Sequence, residues 1–255
     1  MSESHAVYSD VSFWGKEFGI VHQRNEGGQT RSRRLRRRNW EKERSCGHVC
    51  KLQWDPDGVC VLPSCSVAHE HKVEKRNSEC RHISHSLFSK NDIHYAKSAD
   101  ITVWLGDLNY RLEGISSMPA RKMIEENRQS KLRDRDQLLQ EAEKGQVFNG
   151  YCEGTLSFKP TYKYNVGSSN YDSSYKIRVP SWTDRILFKV DHSSGLDAVL
   201  SSYEALDCVS SSDHKPVKAH LCLKSSCCCL EPGCFHRGLP LFSSLRGCCE
   251  TTEHR

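Results

Sequence analysis

At 255 residues the chain is long enough for one large domain or two small ones, and 37 Lys and Arg against 32 Asp and Glu leave a modest net charge of +5. Hydrophobic residues at 36% suffice for a core, but 27% charged residues and a mean hydropathy of -0.67 leave little apolar sequence to spare. No apolar run approaches the roughly 18–20 residues of a membrane-spanning helix, and MSESHAVYSD lacks the basic start and apolar middle of a signal peptide, so an intracellular protein is expected.

Residues 1 to 64 show no sustained helical or strand period. Gly, Arg, Cys and Pro interrupt every apolar cluster, and an irregular basic segment is expected. Between Arg24 and Arg44 nine basic residues face three acidic ones, a local charge of +6. Such a run reads as solvated and disordered, with residues 31 to 38 as a candidate nuclear-import signal or anion-binding patch. The 14 cysteines crowd the two ends of the chain, and only Cys152, Cys208 and Cys222 lie among the motifs described below. Without a signal peptide, reduced thiols are the default. Cys46, His48 and Cys50 come nearest to zinc spacing but lack a second pair, so they are not read as a zinc site.

From Ala68 to Ser89, residues Val73, Cys80, Ile83, Leu87 and Phe88 recur at mostly helical spacing and predict a helix with a polar, histidine-rich face. Ile101 to Leu105 is a β-branched and aromatic run, a buried strand, that ends abruptly in Gly106-Asp107-Leu108-Asn109. Strand side chains alternate, so Asp107 and Asn109 are expected on one face, a carboxylate and a carboxamide aimed at one point. Pro119 opens a helical region with Met123, Ile124, Leu132, Leu138, Leu139 and Ala142 as its apolar face, split near Arg133 and stopped at Gly145. Gln146 to Tyr164 turns to short aromatic-rich segments, followed by a polar loop, NVGSSNYDSS. Tyr175 to Val190 ends in a strand through Ile186, Leu187 and Phe188. Val217, Ala219, Leu221 and Leu223 then alternate strictly in a half-buried strand just after Asp213 and His214. Residues 225 to 255 read as a Cys-rich disordered tail, with acylation of its cysteines as the alternative.

Three polar groups thus sit beside strands: Asp107 with Asn109, Asp184 in PSWTDRIL, and Asp213-His214 in SDHKPV. Layered α/β folds expose reactive side chains at such strand ends, where a rigid sheet holds them. The motifs WLGDLNYR, F-x-P-T-Y-K-Y, K-x-R-x-P-S-W-T-D-R-I-L and S-D-H-K-P-V, in this order, resemble those of the inositol polyphosphate 5-phosphatases. That family lies within the larger group of Mg²⁺-dependent exonucleases, endonucleases and phosphatases. KGQVFNGYCEGTLSFKPTYKYNVGSSNYDSS is similar to small plant members that act on phosphoinositide lipids. The likeness runs from about Ala68 to Lys224, and AHEHKVEKRN is similar to the family's segment after its H-L-A-A-H motif, with Cys65 where the family has its first histidine.

The resemblance implies an α/β fold, part of a two-sheet sandwich, and removal of the 5-phosphate from phosphatidylinositol 4,5-bisphosphate and related lipids by water attack. Asp107 would accept the water's proton with Asn109 holding phosphate or water beside it, His214 would donate to the scissile phosphate, and Asp184 would orient the imidazole. Asp213 is assigned to the neighbourhood of Mg²⁺, a hard ion that takes oxygen ligands. Tyr162, Lys163, Lys176 and Arg178 fall where the family grips the ring's 4-phosphate, a dianion suited to cations and a phenol. The family's first half supplies a strand Asn and a metal-binding Glu in L-x-Q-E, and neither motif is found, so that half is expected to be missing or replaced.

The chain accordingly divides into an irregular segment, 1 to 64, the C-terminal part of a 5-phosphatase domain, 65 to 224, and the tail. The implied partners are phosphoinositides at a membrane surface, and soluble inositol phosphates as further substrates; the location is cytoplasmic and peripheral to membranes. The alternative is an inactive truncated homologue that only binds head groups. A nuclease, which the RSRRLRRR run superficially suits through attraction to a phosphate backbone, is contradicted by PTYKY and K-x-R-x-P-S-W, and no nucleic acid is expected.

Overall fold

The strand predicted at ITVWL sits in the middle of a five-stranded sheet. The computed structural model describes residues 6–14, 18–24, 30–35, 52–54, 59–88, 100–191 and 196–225, with side chains from 66–85, 100–191 and 197–222. The strands are β1 Ala6–Trp14, β2 Phe18–Arg24, β3 Thr30–Leu35, β4 Leu52–Trp54, β5 Val59–Cys65, β6 Ile101–Asp107, β7 Cys152–Glu153, β8 Asp184–Val190, β9 Leu196–Ala205 and β10 Val217–Ser225. One sheet runs β3-β2-β1-β10-β9 and the other β4-β5-β6-β8-β7. The helices are α1 Val73–Phe88, α2 Ser117–Glu125 and α3 Gln137–Glu143, with a 3₁₀ turn at Gln129–Arg135.

The first 65 residues correct the sequence reading. Instead of an irregular segment they contribute five strands, three to the first sheet and two to the second. β1–β2, β2–β3 and β4–β5 are antiparallel pairs of neighbours in the chain, while β1 also pairs antiparallel with the remote β10, Phe13 opposite Val217 and Ala6 opposite Lys224. The arginine run does not begin as disorder either, since Thr30–Leu35 pairs with β2 as the edge strand of its sheet. An edge strand rich in charge discourages pairing with other chains. Cys46, His48, Cys50 and the cysteines of the tail lie outside the described residues.

Alternation along the central strands explains how the layers stack. In β6, Ile101, Val103 and Leu105 share a cluster with Ile186 and Phe188 of β8 and with Tyr203, Val217, Ala219 and Leu221 of the other sheet. Trp104 and Leu187 point the other way, into a second cluster with Cys80 and Ile83 of α1, Leu138 of α3, Val147 and Phe148. The two sheets therefore face each other across one core while α1 and α3 cover the back of the second sheet, the two-sheet α/β sandwich that the motif resemblance implies. Gly154, just past β7, lies close against β9 of the other sheet: a Cβ there would meet the Tyr203 Cβ at 2.6 Å and the Leu200 Cδ2 at 2.7 Å.

The helices follow the sequence closely. α1 starts at Val73, later than Ala68, because residues 66 to 70 form a loop whose carbonyls at Val67, His69 and Glu70 accept hydrogen bonds from the buried Arg76 guanidinium. The split near Arg133 is the 3₁₀ turn, after which the Asp136 carboxylate caps α3 by accepting from Leu139 N at 3.0 Å. Gly145 ends that helix with φ of +71°, the left-handed turn that glycine adopts without a steric penalty.

Candidate functional site

Register sets the two carboxylates. β6 and β8 are antiparallel neighbours, and Asp107, the last residue of β6, lies directly opposite Asp184, the first of β8. His214 enters from the loop before β10, fastened by a bridge to Tyr162 and by Lys215 N donating to Thr161 O at 2.8 Å. Carboxylate oxygens of Asp107 and Asp184 and a ring nitrogen of His214 all come within 4.8 Å of one another, and all three residues are buried. Two strand ends and one loop, far apart in sequence, thus converge.

Asp184 Oδ2 is the hub of this cluster. It accepts from His214 Nδ1 at 2.9 Å, Thr161 Oγ1 at 2.8 Å and Thr183 Oγ1 at 2.9 Å. A carboxylate only accepts, so Nδ1 carries a proton and any hydrogen bond donated by Nε2 requires the imidazolium. Burial opposes a charge on the ring, but Asp184 beside it, together with Asp107 and Asp213, pushes the His214 pKa up to about 9. The imidazole is therefore a cation at neutral pH. The two threonines were not singled out by the sequence reading, although both stand inside its motifs, PTYKY and SWTDRIL.

Asn109 departs from the alternation argument. β6 ends at Asp107, and Asn109 has φ of +56°, so it turns out of the strand line. Its backbone N–H donates to Asp107 Oδ1 at 3.2 Å, its Nδ2 donates to Ser66 O at 2.8 Å, and its Oδ1 accepts from Arg111 Nη2 at 2.6 Å. The carboxamide is thus tied to Ser66 on one side and to Arg111 on the other.

A cleft of about 200 Å³ opens beside the cluster, lined by His69, Arg111, Tyr162, Lys176, Ile177 and Arg178 among others. Tyr162 joins the two regions: its ring lies 4.6 Å from the His214 ring, and the Arg111 guanidinium covers it at 4.3 Å. The loop that carries Lys176 and Arg178 is pinned by Asp172, which accepts from the backbone N–H of Ser174 at 3.1 Å and of Arg178 at 3.0 Å. Burial raises the Asp172 pKa, yet those donors outweigh it and hold the carboxyl below its usual range. Arg121 braces the same loop through Asp172 O at 2.6 Å, and Ile177 within it has φ of +38°, a strained value for a β-branched residue.

Of the four residues expected to grip a phosphate, Tyr162, Lys176 and Arg178 line this cleft. Lys163 does not; its Nζ faces Asp213 Oδ2 at 3.6 Å. Arg111 and His69 line it without having been singled out, though Arg111 ends the motif WLGDLNYR and His69 lies in AHEHK.

The donor set suits a hard divalent ion in part. Asp107 and Asp184 offer two buried carboxylates, and Asp184 Oδ1 is buried with no hydrogen-bond partner among the described residues. Mg²⁺ needs only one or two carboxylates when substrate and water complete its shell. Asp213, expected near the metal, lies outside this cluster and against Lys163.

Known proteins resemble the chain in sequence and fold. The model of endonuclease/exonuclease/phosphatase family 2 matches residues 33–220, beginning inside β3, upstream of Ala68 where the motif likeness starts. The type IV inositol polyphosphate 5-phosphatase 11 of Arabidopsis thaliana is 58% identical over 175 residues, covering 68% of this chain and 51% of the relative. A phosphatidylinositol 4,5-bisphosphate 5-phosphatase A of Rattus norvegicus is 35% identical over 178 residues, 65% of this chain and 18% of the relative. Among solved structures, the inositol polyphosphate 5-phosphatase domain of a synaptojanin, in complex with inositol (1,4)-bisphosphate and calcium ion, superposes with a TM-score of 0.58 at 26% identity, over 86% of this chain and 56% of that one. The chain spans about half the length of the Arabidopsis protein.

Proposed function

Because the chain belongs to the inositol polyphosphate 5-phosphatases of the endonuclease/exonuclease/phosphatase family, we propose that it hydrolyses the 5-phosphate of phosphatidylinositol 4,5-bisphosphate and related head groups by direct attack of water. What supports this reading is one juxtaposition: Tyr162, a lining residue of the cleft that also holds Arg111, Lys176 and Arg178, lies with its ring 4.6 Å from the His214 ring of the buried Asp107–Asp184–His214 cluster. Hydrolysis of a phosphate monoester needs an oriented nucleophile and neutralisation of the equatorial oxygens, and both must be preorganised.

Asp107 takes the proton of the attacking water, a role that suits an acceptor fixed at a strand end. His214, held as imidazolium by Asp184, donates from Nε2 to the scissile phosphate as its charge grows. Thr161 and Thr183 keep Asp184 oriented by occupying the same oxygen as the imidazole. Lys176 and Arg178 engage the neighbouring 4-phosphate, Arg178 in a two-point contact. Asp107 and Asp184 would hold a divalent ion, Mg²⁺ by the hardness of their oxygens; when bound it supplies positive charge to the phosphoryl group. The site of action on this reading is the cytoplasmic surface of a membrane.

Phosphate release from phosphatidylinositol 4,5-bisphosphate vesicles, with and without Mg²⁺, tests it. Release by the chain that an Asp107→Ala variant loses supports the reading. Head-group binding with no release would instead mark a binding module.

A further inference from the structure

The cleft's two walls are loops, and a single buried side chain in neither of them joins them. Gln137, the first residue of α3 and 2% exposed, has an amide whose Oε1 accepts from Arg111 N at 2.9 Å. Its own N–H donates to Arg111 O at 2.9 Å, so the two residues are locked at both ends. The same Oε1 accepts from Arg76 Nη2 at 2.7 Å, and Nε2 donates to Glu70 O at 3.2 Å. Arg76 in turn grips His69 O at 2.6 Å and Glu70 O at 3.2 Å. Every polar atom of Gln137's side chain therefore ends on a cleft wall or on the arginine that holds one. Loops otherwise free to open are low-stability elements, and these are tied from behind.

We propose that Gln137 is a positioning residue that sets the separation between the Arg111 wall and the His69–Glu70 wall, and so determines how tightly the cleft accepts a phosphorylated inositol ring. It touches no substrate. The proposal rests on the phosphatase reading for the identity of the ring. Bidentate recognition of a dianion tolerates displacements of only about 0.5 Å, so a loosened wall should weaken binding while leaving the Asp107–Asp184–His214 cluster, which Gln137 does not contact, in place.

The test uses the full chain, calorimetric binding of inositol 1,4-bisphosphate, and hydrolysis of soluble inositol 1,4,5-trisphosphate. Gln137→Met keeps the side chain's length and removes its three polar contacts. It should raise Kd and KM by about tenfold with kcat held within about twofold. Leu138→Ala, one residue on in the apolar cluster, is the stability control: it should lower the melting temperature and leave Kd unchanged. Should Gln137→Met fail to fold, Gln137→Glu, which keeps the acceptor for Arg76 and Arg111 and loses the donor to Glu70, should show the same split at a few-fold. A wild-type Kd in the Gln137 variant, or an equal loss in Leu138→Ala, overturns the positioning role alone. A wild-type chain that neither binds nor hydrolyses the probes overturns the phosphatase reading and this inference with it.

Discussion

Replacing Asp184 by asparagine removes the charge that keeps His214 protonated while preserving size. In the native cluster the His214 pKa stands at about 9 against an ordinary 6.5, a difference worth about 3 kcal/mol. At pH 7.5 the native ring is about 97% protonated, whereas a ring returned to 6.5 is about one-tenth protonated, and burial would draw it lower still. Phosphate release by Asp184→Asn should therefore fall at least about tenfold at pH 7.5 from loss of the imidazolium alone, with its alkaline limb moved from near 9 to 6.5 or below. Stability moves with the same proton. Because the folded pKa lies above the unfolded one, the pair's stabilisation is complete below pH 6.5 and disappears as pH rises through about 9. Denaturant midpoints of the native chain, measured in chelator, should fall across that window, and those of Asp184→Asn should stay flat. An alkaline limb that does not move in the variant refutes the assignment of Asp184 as the source of the imidazolium.

Three further outcomes follow from the geometry. Lys176→Ala should raise KM for 4,5-bisphosphorylated head groups more than Lys163→Ala does, because Lys176 lines the cleft while Lys163 faces Asp213; steady-state assays on both variants check it. Arg185, fully buried between Asp136 at 2.9 Å and Glu153 at 2.6 Å, cannot lose its charge without stranding two carboxylates; Arg185→Met should cost about 3–5 kcal/mol by denaturant unfolding. Gly154→Ala should cost about 1–3 kcal/mol by the same measurement, since its methyl collides with Tyr203 and Leu200 across the sheets.

The parts of the site that could be read from the chain were those carried by strand ends. Asp107 follows and Asp184 precedes a continuous apolar run, brought opposite each other by the β6–β8 register, and His214 precedes a strand whose alternation is strict. Asn109 was harder, because extending the alternation by two residues assumes a strand that has already stopped. β1 was missed although it pairs with β2 directly after it; its second partner, β10, lies late in the chain, and that pairing leaves no local pattern. β9 escaped because its register slips opposite His220 and Leu221, with Ser202 paired to one and Leu200 to the other. Ser201 is thereby skipped, and Ala198, Leu200 and Tyr203 do not keep a period of two. Arg111, by contrast, stood inside a recognised motif; only the cleft reveals that its guanidinium covers Tyr162.

On the proposed function, Tyr162 is a party wall between recognition and reaction, its ring 4.3 Å from the Arg111 guanidinium and 4.6 Å from the His214 ring. Retuning ring preference at that position would disturb the proton donor as well, so the two traits are inseparable there. The span from Asp172 to Arg178 supplies Lys176, Ile177 and Arg178 to the cleft and none of the three clustered residues. Divergent head-group tastes should accordingly be written into that span, and an engineer seeking a new substrate would begin with it.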